Sequence, residues 1–292
     1  MMLAAGILGI SPSLLRRVYM SGAGAVISKT IGPTSKEGNK GPVIVGTDCG
    51  LLNAMGLPNP GIDEFINELI QFKDIEIPII VSIFGNTENE FKLVAEKISN
   101  VSIVKAIELN ISCPHSKVSQ IGQDADLTKK VVSIVRKSTS LPLFVKLTPN
   151  VTDISKIAKS AEVAGADAIT AINTVRAMAI DIETGLPILS NIYGGLSGPA
   201  IRPIAIKSVF DIYKIVDIPI IGVGGIQKWE DVIEFFHAGA SAIQIGTGIV
   251  QEDLNIFTNI SKGLVSYLER KNISNIQKLT GKTHTIINQK NM

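Results

Sequence analysis

Pro219-Ile220-Ile221-Gly222-Val223-Gly224-Gly225-Ile226 leads into an amphipathic segment at 229–238 and then into Ala242-Ile243-Gln244-Ile245-Gly246-Thr247-Gly248. Both apolar runs are short, rich in β-branched residues and closed by glycine, which reads as strands at 219–223 and 242–245. The segment between them has helical spacing. A strand, a helix and a second strand make a parallel pair joined by a right-handed crossover.

The same alternation extends back along the chain. Further strands are expected at 2–5, 25–29, 78–84, 106–111, 143–147 and 168–172, with amphipathic helices at 91–99, 127–138, 154–164 and 204–215 among others. Eight such units most simply close into an α/β fold of the TIM (β/α)8 type, with a doubly wound open sheet as the alternative. A chain of 292 residues suits one such domain across 1–292, and no linker or shift in composition marks a second. Two connections are too long for simple turns: 30–58, rich in Gly, Pro, Asn and Lys, and 176–195, where 181–187 reads as a small hairpin. Both are expected as lids or binding loops at the C-terminal face of the strands.

Composition narrows the function. A hydrophobic content of 45% fits a sheet covered on both sides, and a net charge of +2 argues against nucleic acid as the main ligand. The two cysteines, Cys49 and Cys113, form no disulfide framework and suit a reducing cytoplasm. The three histidines are scattered without ligand spacing, so no metal site is expected. No run approaches the roughly 20 apolar residues of a membrane span, and the apolar opening is broken by Gly6 and Gly9.

Most of the expected strands end in glycine or a polar group: Gly6, Lys29-Thr30, Gly85-Asn86, Asn110, Lys146-Thr148, Asn173-Thr174, Gly224-Gly225 and Gly246-Thr247. In a closed barrel these ends meet on one face, where active sites lie. Any one of them can simply cap a turn; eight together favour a shared ligand. The glycine turns after the seventh and eighth strands occupy the usual phosphate position of such barrels, since glycine lets backbone N–H groups approach phosphate oxygens. Lys29 and Lys146 fall where strands are buried, and lysines there favour an anionic ligand unless they snorkel to solvent. Asn53, Asn110 and Asn173 supply donors and acceptors that suit a flat polar heterocycle.

Glu108-Leu109-Asn110-Ile111-Ser112-Cys113-Pro114-His115 reads as a buried strand that hands the chain to a loop cysteine, because Pro114 cannot continue the ladder. A cysteine in such a loop can act as a thiolate base or nucleophile; the plainer reading is a small packed residue. Cys49 reads as incidental, and His237 and Trp229 as packing residues.

With these residues assembled, the chain resembles the class 1 dihydroorotate dehydrogenases, and most of all their NAD-linked subgroup. The resemblance rests on Asn53-Ala54-Met55-Gly56-Leu57-Pro58-Asn59-Pro60-Gly61, on Glu108 to Pro114 as quoted, and on Val145-Lys146-Leu147-Thr148-Pro149-Asn150-Val151-Thr152-Asp153-Ile154. It continues through Ile172-Asn173-Thr174, Gly194-Gly195-Leu196-Ser197-Gly198-Pro199-Ala200-Ile201, Ile220 to Ile226 and Ile245-Gly246-Thr247, in family order across nearly the whole chain. It implies an eight-stranded barrel binding FMN and oxidising dihydroorotate to orotate in pyrimidine synthesis. Cys113 matches the base that takes the C5 proton while the C6 hydride passes to FMN. Lys146 matches the residue beside the flavin ring that stabilises its reduced, anionic form, and Lys29 one that touches flavin and substrate. Asn53, Asn110, Asn173 and Thr174 match substrate-binding positions, and backbone at Met55, Gly56 and Leu57 the carboxylate cradle. Ala5, Gly6, Thr30, Asn86, Asn110, Ile172, Gly198, Gly224, Gly225, Gly246 and Thr247 match flavin-contacting positions. The resemblance also implies a homodimer and, for the NAD-linked subgroup, a separate FAD and iron–sulfur subunit; the sequence itself does not specify the acceptor, and fumarate is an alternative.

The chain departs from the family in three places. It opens almost at the first barrel strand, where members carry a short strand pair. His115 stands where many members have a substrate-contacting asparagine, and Cys-Pro-His and Tyr193-Gly194-Gly195 are similar to dihydropyrimidine dehydrogenases, which act on uracil and thymine. A dihydropyrimidine or dihydrouracil oxidoreductase is therefore the alternative, and a non-redox barrel binding a phosphorylated metabolite a second; the stretch 53–61 favours dihydroorotate. The loop 116–126 differs from the subgroup and is expected to act as a lid.

Overall fold

The computed structural model describes residues 1–71, 76–111 and 121–290. The barrel begins with β1 (Met2–Leu3), α1 (Pro12–Met20) and β2 (Ala25–Ile27). An excursion follows, carrying β3 (Ile44–Thr47) and β4 (Gly50–Asn53), before α2 (Ile62–Ile70) returns the chain to β5 (Ile79–Ile83). Regular alternation then gives α3 (Glu88–Ser99), β6 (Val104–Asn110), α4 (Ala125–Ser138), β7 (Leu143–Leu147), α5 (Ile154–Val163) and β8 (Ala168–Ala171). A second excursion holds β9 (Val175–Ala177) and β10 (Gly194–Ser197). The last part contains α6 (Arg202–Tyr213), β11 (Ile220–Val223), α7 (Trp229–Ala238), β12 (Ala242–Ile245), α8 (Gly248–Glu252), α9 (Ile256–Arg270) and α10 (Lys282–Lys290).

Eight strands close in the order β1, β12, β11, β8, β7, β6, β5, β2, every pair parallel. This is the expected TIM barrel. Strands β7 and β12 and helix α7 fall on the expected residues, and the other expected elements differ by a few residues at their ends. Local chemistry explains several starts. Thr87 accepts from the Glu90 N–H, Asp124 from those of Asp126 and Leu127, and Asp153 from that of Ser155. Each such cap stabilises a helix by about 1 kcal/mol.

Period-two alternation divides each strand between two environments. Outward-facing Val81, Ile83, Ile107, Leu109, Val145, Leu147, Ile169 and Ile243 pack in the main core against the helices. Inside, Ile27, Ile80 and Ala106, with Met2, Ala25 and Phe144 against them, form a small apolar layer at the base of the barrel interior. Two residues further along the same strands the interior turns polar, with Lys29, Ser82, Glu108, Lys146, Thr170 and Gln244. All but Lys29 are buried.

The two excursions were expected as loops. They instead meet in a four-stranded antiparallel sheet, β3-β4-β10-β9, with Gly195 opposite Asn53 and Arg176. Gly194-Gly195 makes this approach possible. A Cβ on Gly195 would lie 2.0 Å from Thr174 Oγ1, and one on Gly194 would lie 2.3 Å from the Asn53 carbonyl oxygen. The small hairpin expected at 181–187 is present, closed by a bridge between Ile180 and Pro187. The first part of the loop 116–126 lies outside the described residues; its end leads into α4 through the Asp124 cap.

Candidate active site

A cavity of about 290 Å³ opens at the C-terminal ends of the barrel strands, between the barrel and the four-stranded sheet. Its wall gathers Ala5, Gly6, Lys29, Thr30, Asn53, Met55, Gly56, Leu57, Asn110 and Lys146. Ile172, Asn173, Thr174, Gly198, Gly224, Gly225, Gly246 and Thr247 complete the expected set there. Residues from all parts of the chain thus meet in one place, as parallel strands that end on the same face require.

Asn86 stands apart from them. It is exposed and does not line the cavity; its N–H and Nδ2 donate to Glu90 Oε2 at 2.6 and 3.0 Å. A Cβ on Gly85 would lie 2.6 Å from the Phe91 nitrogen, so the chain turns straight from β5 into α3 and carries Asn86 with it. Here a polar strand end serves the helix start. Cys113 and His115 lie outside the described residues. Cys49 is exposed in the turn between β3 and β4. Trp229 packs on Tyr267, and His237 sits half-buried on α7, where burial and then Lys282 lower its pKa.

Hydrogen bonds order the amides at the mouth. Asn110 Nδ2 donates to Thr30 Oγ1 at 3.1 Å, and Thr30 Oγ1 lies 3.0 Å from Ser82 Oγ. Asn173 Nδ2 approaches Asn110 Oδ1 at 3.5 Å, while Asn173 Oδ1 accepts from the Thr174 N–H at 2.8 Å. Asn53 Nδ2 donates to the Gly195 carbonyl at 3.2 Å, which ties the amide to the sheet. Asn150, quoted in the sequence motif without a role, braces this wall by donating to Thr148 Oγ1 and the Thr174 carbonyl.

The floor is charged. Lys146 is 5% exposed, and its Nζ lies 3.8 Å from Oε1 of fully buried Glu108. Burial pushes the Lys29 ammonium below its ordinary value. The uncompensated Lys29 would gain from an anion in the cavity, while Lys146 already has a carboxylate beside it. Sequence reasoning missed Glu108 and Gln244 as parts of this floor. The signal was present: each is a polar residue inside a buried strand, two positions from a residue already singled out, and so on the same side of the strand.

The glycine turns are packed, not merely flexible. Gly225 has φ +72°, and a Cβ there would lie 2.7 Å from the Gly198 carbonyl oxygen and 2.8 Å from Arg202 Cβ. At Gly246 a Cβ would meet only Ala4 Cβ at 3.6 Å, so the remaining space belongs to the cavity. Arg202 Nη1 donates to buried Asp231 at 2.6 Å, and Asp231 Oδ2 accepts from the Gln227 and Lys228 N–H groups. This clamp fixes the turn after β11.

Residues 1–268 match the family model described as dihydroorotate dehydrogenase. The chain belongs to the dihydroorotate dehydrogenase family. It is 48% identical to the catalytic subunit of dihydroorotate dehydrogenase B (NAD(+)) from Pyrococcus horikoshii, over 96% of this chain and 92% of that protein. The corresponding subunits from Methanocella arvoryzae and Methanocaldococcus jannaschii are 47% and 48% identical, over 98% and 97% of this chain and 94% and 93% of theirs. Within the family the chain thus stands with the NAD-linked class 1B catalytic subunits. In fold it is similar to a crystal structure of the Eimeria tenella enzyme in complex with ferulenol, with a TM-score of 0.83 at 23% identity, over 97% of this chain and 85% of that one. The family is flavin-dependent. The cavity fits such a group: an open Cβ position at Gly246, a lysine-bearing floor, and a buried Gln244 Oε1 that has no hydrogen-bond partner among the described residues.

Proposed function

We propose that the chain oxidises dihydroorotate to orotate in pyrimidine synthesis, using FMN held in the barrel mouth. The observation that carries this reading is the convergence of Lys29, Lys146, Asn53, Asn110 and Asn173 on one cavity beside two glycine turns. Bound FMN supplies the hydride acceptor.

The chain's own residues bind, orient and move a proton. Gly198, Gly224, Gly225, Gly246 and Thr247 suit the phosphate end, because bare backbone can approach its oxygens. Lys146 suits the ring, where its charge favours electron density arriving there. Asn53, Asn110, Asn173 and Thr174 present amide and hydroxyl groups to a pyrimidine, and Met55, Gly56 and Leu57 line the wall where a carboxylate cradle is proposed. Lys29 reaches the same space and gains from either anion. Cys113, outside the described residues, is proposed as the base that takes the C5 proton. A thiol with a reference pKa of about 8.5 needs little tuning to work near neutral pH.

The relatives are catalytic subunits, which implies a partner subunit here. We extend this to a homodimer joined by a subunit carrying FAD and an iron–sulfur centre. Ile180, Ile182, Leu186 and Ile192 are exposed along the excursion that leads into β10, and an apolar rim of this kind supports docking of a second protein. Among the described residues no helix is long and apolar enough to cross a membrane.

The test is to purify the chain with FMN, determine flavin content, and compare dye reduction driven by dihydroorotate and by dihydrouracil. A yellow protein that prefers dihydroorotate is expected. A protein that cannot be reconstituted with FMN, or that clearly prefers dihydrouracil, contradicts the reading.

A further inference from the structure

Glu108 lies beneath the cavity and is fully buried. Its two oxygens have different surroundings. Oε2 accepts from Gln244 Nε2 at 2.7 Å and from Thr170 Oγ1 at 3.1 Å, so donors on β12 and β8 fix the carboxylate from two sides. Oε1 has no hydrogen-bond partner among the described residues and faces Lys146 Nζ at 3.8 Å. A buried carboxylate is costly unless a cation or donors compensate it. The floor therefore presents a fixed pair of opposite charges and not a bare ammonium.

We propose that Glu108 is a positioning residue for Lys146. It anchors the ammonium at the cavity floor and offsets part of its charge, which sets how strongly the site favours negative charge on a bound ring. This rests on the flavin reading above. The division of labour between the oxygens is the reason. With Oε2 committed to Gln244 and Thr170, only Oε1 remains to hold the lysine, so the position of Lys146 follows from that of the carboxylate. A side chain present only to fill space would serve equally well without its charge.

Glu108→Gln separates these roles. The amide keeps the shape, and its carbonyl can still accept from Gln244 and Thr170, but the negative charge is gone. In FMN-loaded protein equilibrated with a reference dye, Glu108→Gln is expected to raise the flavin's reduction potential. The ratio of reduced to oxidised flavin at a fixed ambient potential should rise at least tenfold, or about 30 mV for a two-electron couple. Glu108→Asp restores the charge and should return most of the shift. An unchanged or lowered potential in folded Glu108→Gln overturns the proposal.

A parent protein that takes up no FMN overturns the flavin reading, and the pairing is then read without flavin. Thermal melting of Glu108→Gln, Lys146→Gln and the double variant should be non-additive, the double losing less than the sum, because each single change strands a buried charge. Strict additivity overturns the pairing.

Discussion

Lys29 and Lys146 are two lysines at the same cavity with different compensation. Lys146 has Glu108 at 3.8 Å, whereas burial alone moves Lys29 and lowers its pKa. A base whose folded pKa is lowered adds stability above its unfolded value and loses it as pH falls through the folded one. In the ligand-free barrel, charged Lys29 is therefore a cost. An anion in the cavity reverses this by giving the ammonium a partner and raising its pKa again. Between the lowered and the ordinary lysine value, binding takes up a proton, so affinity for orotate should fall as pH rises through that window. Calorimetric titration in buffers of different ionisation enthalpy checks this, and Lys29→Met should abolish the proton uptake. The lysines and amides were legible because polar residues at the ends of apolar runs break the pattern of a buried strand. Asn86 broke the same pattern for a different reason: Glu90, one helical turn away, claims it. No property of Asn86 itself distinguishes the two cases.

At the scale of elements, the turn after β11 decides how closely the chain can approach a phosphate. Gly225 has positive φ and contacts Gly198 and Arg202, so Gly225→Ala incurs both backbone strain and a clash. A loss of about 1–3 kcal/mol in stability is expected, with FMN affinity weakened more than tenfold; thermal melting and fluorescence titration with FMN measure the two. The Arg202–Asp231 clamp makes a separate prediction. Asp231→Ala leaves the guanidinium only Glu234, at 3.4 Å, and leaves the Gln227 and Lys228 N–H groups without their acceptor, which should cost about 2–4 kcal/mol in urea unfolding. Arg202 and Asp231 are far apart in sequence, and neither carried a signal of pairing. The barrel strands were readable as β-branched runs between amphipathic helices. The sheet at the mouth was not, because its strands lack β-branched runs set between helices and its joining pair, β4 with β10, unites segments far apart in sequence. Only the Gly194-Gly195 pair hinted at the close approach that makes this pairing possible.

For the whole molecule, eight parallel strands bring residues from Ala5 to Thr247 onto one face, and the period-two pattern places the charged cavity floor above an apolar layer. Closure was legible in the count of strand–helix units, since eight such units bury both faces of the sheet most simply as a barrel. The pairing of Glu108 with Lys146 becomes visible only once β6 and β7 are adjacent, with Asn110 opposite Lys146. We propose that this cavity takes a dihydropyrimidine beside FMN and that Cys113 is the base. Rapid anaerobic mixing of FMN-loaded protein with dihydroorotate, followed by loss of the oxidised flavin's visible absorbance, tests it most directly. Bleaching by dihydroorotate is expected, with a phase at least ~100-fold slower in Cys113→Ala. An equal rate in that variant, or no bleaching of the parent although dithionite reduces its flavin, would contradict it.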